Sequence, residues 1–236
     1  MPRHRLPALA ASLAALALVA GGCIHANLAA GVLTPDTGHP EDVYHLDVRD
    51  DGVIVASADA ANTGGNTRWA FWRKADQPQT DQQICTTWVE GDISTIQQQG
   101  AALQIRKEGN RTRAITVTRH IFRGFGGQFN VHVMDSAPPG APEPRLTWLG
   151  GVIVESLADE TTPYPWRLCS RIVDRTVSFV VWPLPGPQPD WGTPGAGGSV
   201  ALPTDWDDAA GVPGFYIGHL TAGESVGYTD VVISTP

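Results

Sequence analysis

The chain has 236 residues, of which 26 are Gly and 19 Pro, with 42% hydrophobic and 17% charged residues. That is too apolar for a disordered chain and rich in turn-forming residues, so it points to a globular fold of many short elements. A net charge of −8, with no basic run, excludes a surface built to neutralise nucleic-acid phosphates.

The N-terminus reads as an address. Arg3, His4 and Arg5 precede an uncharged stretch, 6–20, whose fifteen residues are mostly Ala and Leu. This fits an export signal and is shorter than the roughly 20 residues a membrane-spanning helix requires. Ala20-Gly21-Gly22-Cys23 resembles a bacterial lipobox. The resemblance implies cleavage of a signal peptide, 1–22, and a lipid anchor on the Cys23 thiol, with the acyl chains inserted in the membrane. The other reading is cleavage after Ala26, which gives a secreted protein without an anchor; both export the chain. Residues 23–40 are small and polar around Thr34-Pro35-Asp36 and read as a flexible tether, leaving 41–236 for the domain.

From Tyr44 onward the pattern has a period near two. Segments 43–48, 53–57, 67–72, 84–89, 101–106, 113–120, 128–134, 146–155, 166–173, 176–182, 199–202, 215–220 and 226–233 are short, rich in β-branched and aromatic residues, and bounded by Gly, Asn, Asp or Pro. No segment after the leader keeps a 3.6-residue period long enough for a helix. The series predicts an all-β, antiparallel two-sheet sandwich forming one domain, with the Pro-rich stretches 137–144 and 183–194 as surface loops.

Export also bears on the three cysteines. With Cys23 assigned to lipid, Cys85 and Cys169 remain, and two thiols outside the cytoplasm are expected to pair as a disulfide.

The C-terminal third carries a second resemblance. Trp166-Arg167-Leu168-Cys169-Ser170-Arg171-Ile172-Val173, the Asp174-Arg175 turn and 177–182 form a late hairpin. Gly214-Phe215-Tyr216-Ile217-Gly218 and then Tyr228-Thr229-Asp230-Val231-Val232-Ile233 make a closing pair of strands. Together these segments resemble concanavalin A-like, laminin-G-like jelly rolls. The resemblance implies the jelly-roll form of the sandwich; the superfamily includes lectins, glycosidases, lyases and binding modules, so it fixes no activity.

Motifs for chemistry are sparse. Gly223-Glu224-Ser225-Val226-Gly227 matches the spacing of a nucleophile elbow, but a strand follows it where that motif needs a helix, so it reads as a hairpin loop. No E-x-D-x-x-E is present; Glu155 and Glu160, five apart, do not make a carboxylate pair on one strand face. Gln128, Asn130 and His132 alternate with Phe129, Val131 and Val133, which places the polar three on one face, a candidate groove. Asp205, Asp207 and Asp208 share a loop and are candidate oxygen ligands for calcium, against the simpler reading of an acidic turn. The eight Trp exceed a usual share, and indole rings either fill a sandwich or stack on sugars. Trp191 and Trp206, in Pro- and Asp-rich loops, are the expected exposed ones, and Trp88 is a further groove candidate. The preponderance of Arg over Lys fits a GC-rich genome such as an actinobacterial one.

The first functional reading is an exported, envelope-anchored sandwich that binds carbohydrate without chemistry, through Trp88, Gln128, Asn130, His132, Trp191 and Trp206. The second is a polysaccharide hydrolase or lyase, which a carboxylate pair in one cleft, or a Tyr/His pair beside an Arg, would favour. The third is a structural lipoprotein that meets another envelope protein through a flat apolar face. The expected partners are the membrane, by way of the anchor, and a carbohydrate; nucleic acid is not one.

Overall fold

The computed structural model describes residues 27–34, 39, 41–62, 65–121, 127–159 and 161–236. Cys23 and the rest of the leader, and Glu160, lie outside the described residues. The fold is the expected all-β sandwich of two seven-stranded antiparallel sheets. Its strands are β1 (Leu28–Thr34), β2 (Tyr44–Val48), β3 (Ile54–Ala58), β4 (Arg68–Arg73), β5 (Gln82–Glu90), β6 (Gln98–Glu108), β7 (Arg111–Arg119), β8 (Gln128–Asp135), β9 (Arg145–Ile153), β10 (Trp166–Val173), β11 (Thr176–Pro183), β12 (Gly197–Ala201), β13 (Val212–Gly218) and β14 (Ser225–Ser234). Sheet I has the order β1-β4-β13-β6-β7-β8-β9 and sheet II the order β12-β11-β10-β5-β14-β3-β2. The strands predicted from period two correspond to β2 through β14. The only helical element among the described residues is a 3-10 turn at Glu155–Leu157, and no described helix is long and apolar enough to cross a membrane.

Alternation decides what lies between the sheets. Phe129, Val131 and Val133 of β8 point inward, as expected, and join Ile115 and Val117 of β7 and Leu103 of β6 in the main core. Sheet II answers with Ile84, Trp88, Trp166, Leu168, Phe179 and Val181. Trp88 and Phe129 meet with ring centroids 5.7 Å apart, and Phe129 and Phe179 at 6.2 Å. Burying aromatic rings on both inner faces contributes roughly 1.5–3 kcal/mol per side chain, which makes this interlayer the main stabilising unit.

The reading of residues 23–40 as a tether is corrected over Leu28–Thr34. This segment is β1, paired antiparallel with β4 from Leu28↔Arg73 to Thr34↔Arg68. Sheet I rolls so far that β1, at its edge, lies against β7 and β8 on the outer face. There Leu33 joins Ala70, Ala102, Ala114, Met134 and Tyr216 in a second small core. Three alanines in that group leave room for the crossing strand. Gly31 is the point of closest approach: a Cβ at this position would collide with Oγ1 of Thr112.

Cys85 and Cys169 face each other across β5 and β10 and are joined by a disulfide. They lie on the outer face of sheet II in a separate apolar cluster with Val180 and Trp182, covered by Leu184 and Trp191 of the Pro-rich loop.

Candidate functional site

The polar face of β8 forms the floor of a cleft on the outer side of sheet I. β7 and β8 place Thr118 opposite Asn130 and Thr116 opposite His132, and β9 places Gly151 opposite Asn130 and Trp148 opposite His132. Gln128 donates from Nε2 to Oδ1 of Asn130 at 2.9 Å, and Nε1 of Trp148 donates to the same oxygen at 3.2 Å. Gly151 makes room for this pair, since a Cβ there would stand 2.5 Å from Oδ1 of Asn130.

The cleft itself is a cavity of about 150 Å³ lined by Arg68, Gln98, His120, Ile121, Asn130, His132, Met134, Leu146 and His219. Arg68 enters from the start of β4 and His219 follows the end of β13, so the site gathers residues far apart in sequence. Tyr216 of β13 lies beneath: its hydroxyl donates to Oε1 of Gln98 and has Arg68 as a further hydrogen-bonding neighbour.

None of the described side chains lining the cleft is a carboxylate; one is a guanidinium and three are imidazoles. Arg68 donates to Oγ1 of Thr34 at 3.0 Å and to the carbonyl of Asn66 at 3.1 Å, and among the described residues it has no ion pair with an acid. Most other arginines do: Arg106 and Arg113 with Asp207, Arg111 with Asp135, Arg145 with Asp205 and Arg73 with Asp76. The cleft is therefore a locally cationic site on an acidic protein.

Burial, followed by the charges of Arg68 and His120, lowers the pKa of His132 to about 4, so its ring is neutral at neutral pH. Its buried Nδ1 has no hydrogen-bond partner among the described residues. Burial raises the Tyr216 phenol above its usual value, so that it keeps its proton.

The candidate groove residues separate. Gln128, Asn130 and His132 lie together on the outer face of sheet I as expected. Trp88 does not join them: it is 0% exposed, in the core between the sheets, because its face of β5, shared with Ile84, looks inward. Trp206 is likewise buried, at 2% exposure. Its loop folds over the end of the core, where the guanidinium carbons of Arg106 and Arg113 sit 5.6 and 4.9 Å from its ring centroid. Trp191 is on the far side of the molecule, over Arg171 at 4.1 Å.

The calcium ligand set is not assembled either. Asp205 pairs with Arg145 at 3.0 Å, Asp207 with Arg106 at 2.8 Å, and Asp208 accepts from Nε2 of Gln104 at 2.7 Å. Each carboxylate is drawn to a different partner, and among the described residues no group of three or more His, Cys, Asp or Glu is placed to hold a metal ion.

Sequence reasoning did not find Trp148 and Arg68. Trp148 is 60% exposed at the rim of the cleft, with Leu146 and Ile153 exposed on the same edge strand. The register of β8 with β9 shifts between Val131 and His132, so that Trp148 and Gly151 face the same way although three apart. A β-bulge of this kind breaks the period-two signal that would have assigned the indole to the polar face. Arg68 had only its place at the start of a predicted strand to mark it.

No family model matches the sequence, and no curated protein matches it. Solved structures match its fold. The CBM2 module of the evolved Dit of Lactobacillus casei BL23 phage J-1 has a TM-score of 0.52 at 10% identity, covering 88% of this chain and 89% of that one. The legume lectin-like domain from Entamoeba histolytica has a TM-score of 0.51 at 8% identity, covering 89% and 91%. The exoplasmic/lumenal domain of VIP36 in its Ca2+-bound form has 0.50 at 8%, covering 87% and 90%. At these identities the likeness is one of fold, the two-sheet β-sandwich that these domains share with the chain.

Proposed function

We propose that this chain is an exported envelope protein, anchored by lipid on Cys23, whose sandwich binds an acidic polysaccharide in the cleft of sheet I. The observation that carries the proposal is the charge of the cleft: Arg68 without a carboxylate partner, in a lining with no acid among the described residues, on a chain of net charge −8. A uronate or sulfate group supplies the missing anion, and a guanidinium binds such planar anions through paired hydrogen bonds. Trp148 offers its exposed indole at the rim for the apolar face of a pyranose, the usual combination of an apolar wall with a few placed polar groups. The lectin-like fold of its structural neighbours is in keeping with a sugar ligand, and the disulfide is in keeping with an oxidising compartment.

A second reading, a polysaccharide lyase, is favoured by His132 and Arg68 sharing the lining of the cleft. In β-elimination on a uronate, Arg68 would neutralise the carboxylate and so acidify the adjacent C5–H. Neutral His132 would take that proton, the C4–C5 double bond would form as the C4–O bond breaks, and water would protonate the leaving oxygen. A hydrolase working through paired carboxylates has no acid in the described lining of this cleft. For the structural reading, Leu146, Trp148 and Ile153 are exposed along β9, and Leu146 lines the cleft.

The test uses the purified full chain with a panel of uronate-containing, sulfated and neutral polysaccharides. Retention of acidic polymers without new ultraviolet absorbance supports binding alone, and retention with absorbance of unsaturated ends supports the lyase. Equal retention of neutral polymers, or of none, contradicts both.

A further inference from the structure

We propose that the end of the sandwich carrying Lys74, Lys107 and the start of β1 docks against a lipid headgroup surface, with the Arg68 end of sheet I turned away from it. This rests on the lipid-anchor reading and adds an orientation to it. Because β1 begins at Leu28, only five residue steps separate Cys23 from the folded sheet. Fully extended, they span at most about 18 Å. The headgroup layer itself is roughly 5–8 Å deep, so the domain cannot stand far off the bilayer, and the end that β1 leaves from must be the near one.

That end has the chemistry a lipid surface selects. The chain's only two lysines are both there: the backbone N–H of Lys74 donates to the Asn27 carbonyl at 2.7 Å, and Nζ of Lys107 donates to the Ala30 carbonyl at 2.8 Å. Both side chains are exposed. The neighbouring arginines, Arg73, Arg106, Arg111 and Arg113, are paired with Asp76, Asp135 and Asp207. A cleft of about 440 Å³ beside Lys107, lined in part by Trp72 and Pro78, adds an indole of the kind that settles at headgroup depth.

The direction of the strands then orients the binding site. β4 runs from Arg68, in the polysaccharide cleft, to Arg73, at the lysine end, and β6 runs from Gln98, also in the cleft, to Glu108. Ten residue steps of β6 separate the two ends by about 33 Å. Arg68 and Gln98, at one end of the cleft, accordingly stand away from the bilayer.

The lysines provide the probe. The full chain, produced in an exporting bacterium, is placed on phosphatidylglycerol vesicles and treated with an amine-acetylating reagent, and labelling is read by peptide mass. A variant carrying Asn66→Lys supplies a reporter amine at the cleft end, and a second form carries about 20 Gly/Ser residues inserted after Cys23, with a root-mean-square span of about 25 Å. The expected result is severalfold slower labelling of Lys74 and Lys107 in the native-length form than in the spacer form, with the reporter amine at the cleft end labelled equally in both. A lipid-modified N-terminal peptide with no spacer dependence at Lys74 and Lys107 overturns the docked orientation and leaves the anchor standing. An unmodified N-terminus overturns the anchor reading and the docking with it.

Discussion

The indole N–H of Trp148 donates to Asn130, and most of its ring faces solvent. Replacing it with Ala removes ligand contact without opening a core cavity. Trp148→Ala is therefore expected to weaken binding of acidic polysaccharide roughly tenfold, the loss of a central aromatic contact, while thermal unfolding stays within experimental error of the parent. His132 sets a pH limit. Its folded pKa, about 4, lies below the ordinary 6.5, so between these values the unfolded chain binds more protons than the folded one. Stability contributed by the neutral ring is fully present above about pH 6.5 and falls as pH drops toward 4, by at most about 3 kcal/mol. Denaturant titrations at intervals through this range should show that fall, and His132→Gln should flatten it.

These two residues also mark what the sequence disclosed at this scale. Gln128, Asn130 and His132 could be assigned to one face because β8 alternates without a break beside a fully apolar face. Trp148 could not, because the bulge between β8 and β9 inverts the alternation partway along the strand. Trp88 and Trp206 were misread because the same indole serves a core and a sugar site equally well, and burial depends on which strands pack above it. For Trp206 the deciding contacts come from Arg106 and Arg113, about a hundred residues earlier in the chain.

Among the elements, β1 carries the largest departure from expectation. Its sequence, Leu-Ala-Ala-Gly-Val-Leu-Thr, is too small-residue-rich and too weakly alternating to announce a strand, and it is one because sheet I offers a free edge on β4 and a shallow apolar patch to cover. Gly31 is the sensitive point. Gly31→Ala should push against Thr112 and cost about 1–3 kcal/mol, the range for overpacking, and Thr112→Ala in the same chain should recover much of it. Chemical denaturation of the two single variants and the double variant measures this. On the opposite sheet, the Cys85–Cys169 bridge spans a sequence separation of 84 residues. In the chain-entropy model a loop of that length is worth roughly 4 kcal/mol, so replacing both cysteines with Ala should lower the midpoint of thermal unfolding markedly, with the fold retained at low temperature.

For the whole molecule, two seven-stranded sheets pack face to face as one sandwich. The strands predicted from period two were found, because a two-layer sandwich imposes burial on one face of each strand and the pattern records it. The cleft was legible only in its floor. Its positive charge comes from Arg68, which loops and strand ends bring together with the rings of His120 and His219 from three parts of the chain, and no local spacing reports such a meeting. That charge is the central claim, and its most direct measurement is a calorimetric titration of the protein with a uronate polymer and with the same polymer after its carboxyl groups have been reduced to alcohols. The account predicts binding to the native polymer, weakened by salt and by Arg68→Gln, and little binding to the reduced one. Equal affinity for the two polymers, or affinity indifferent to Arg68, would contradict it.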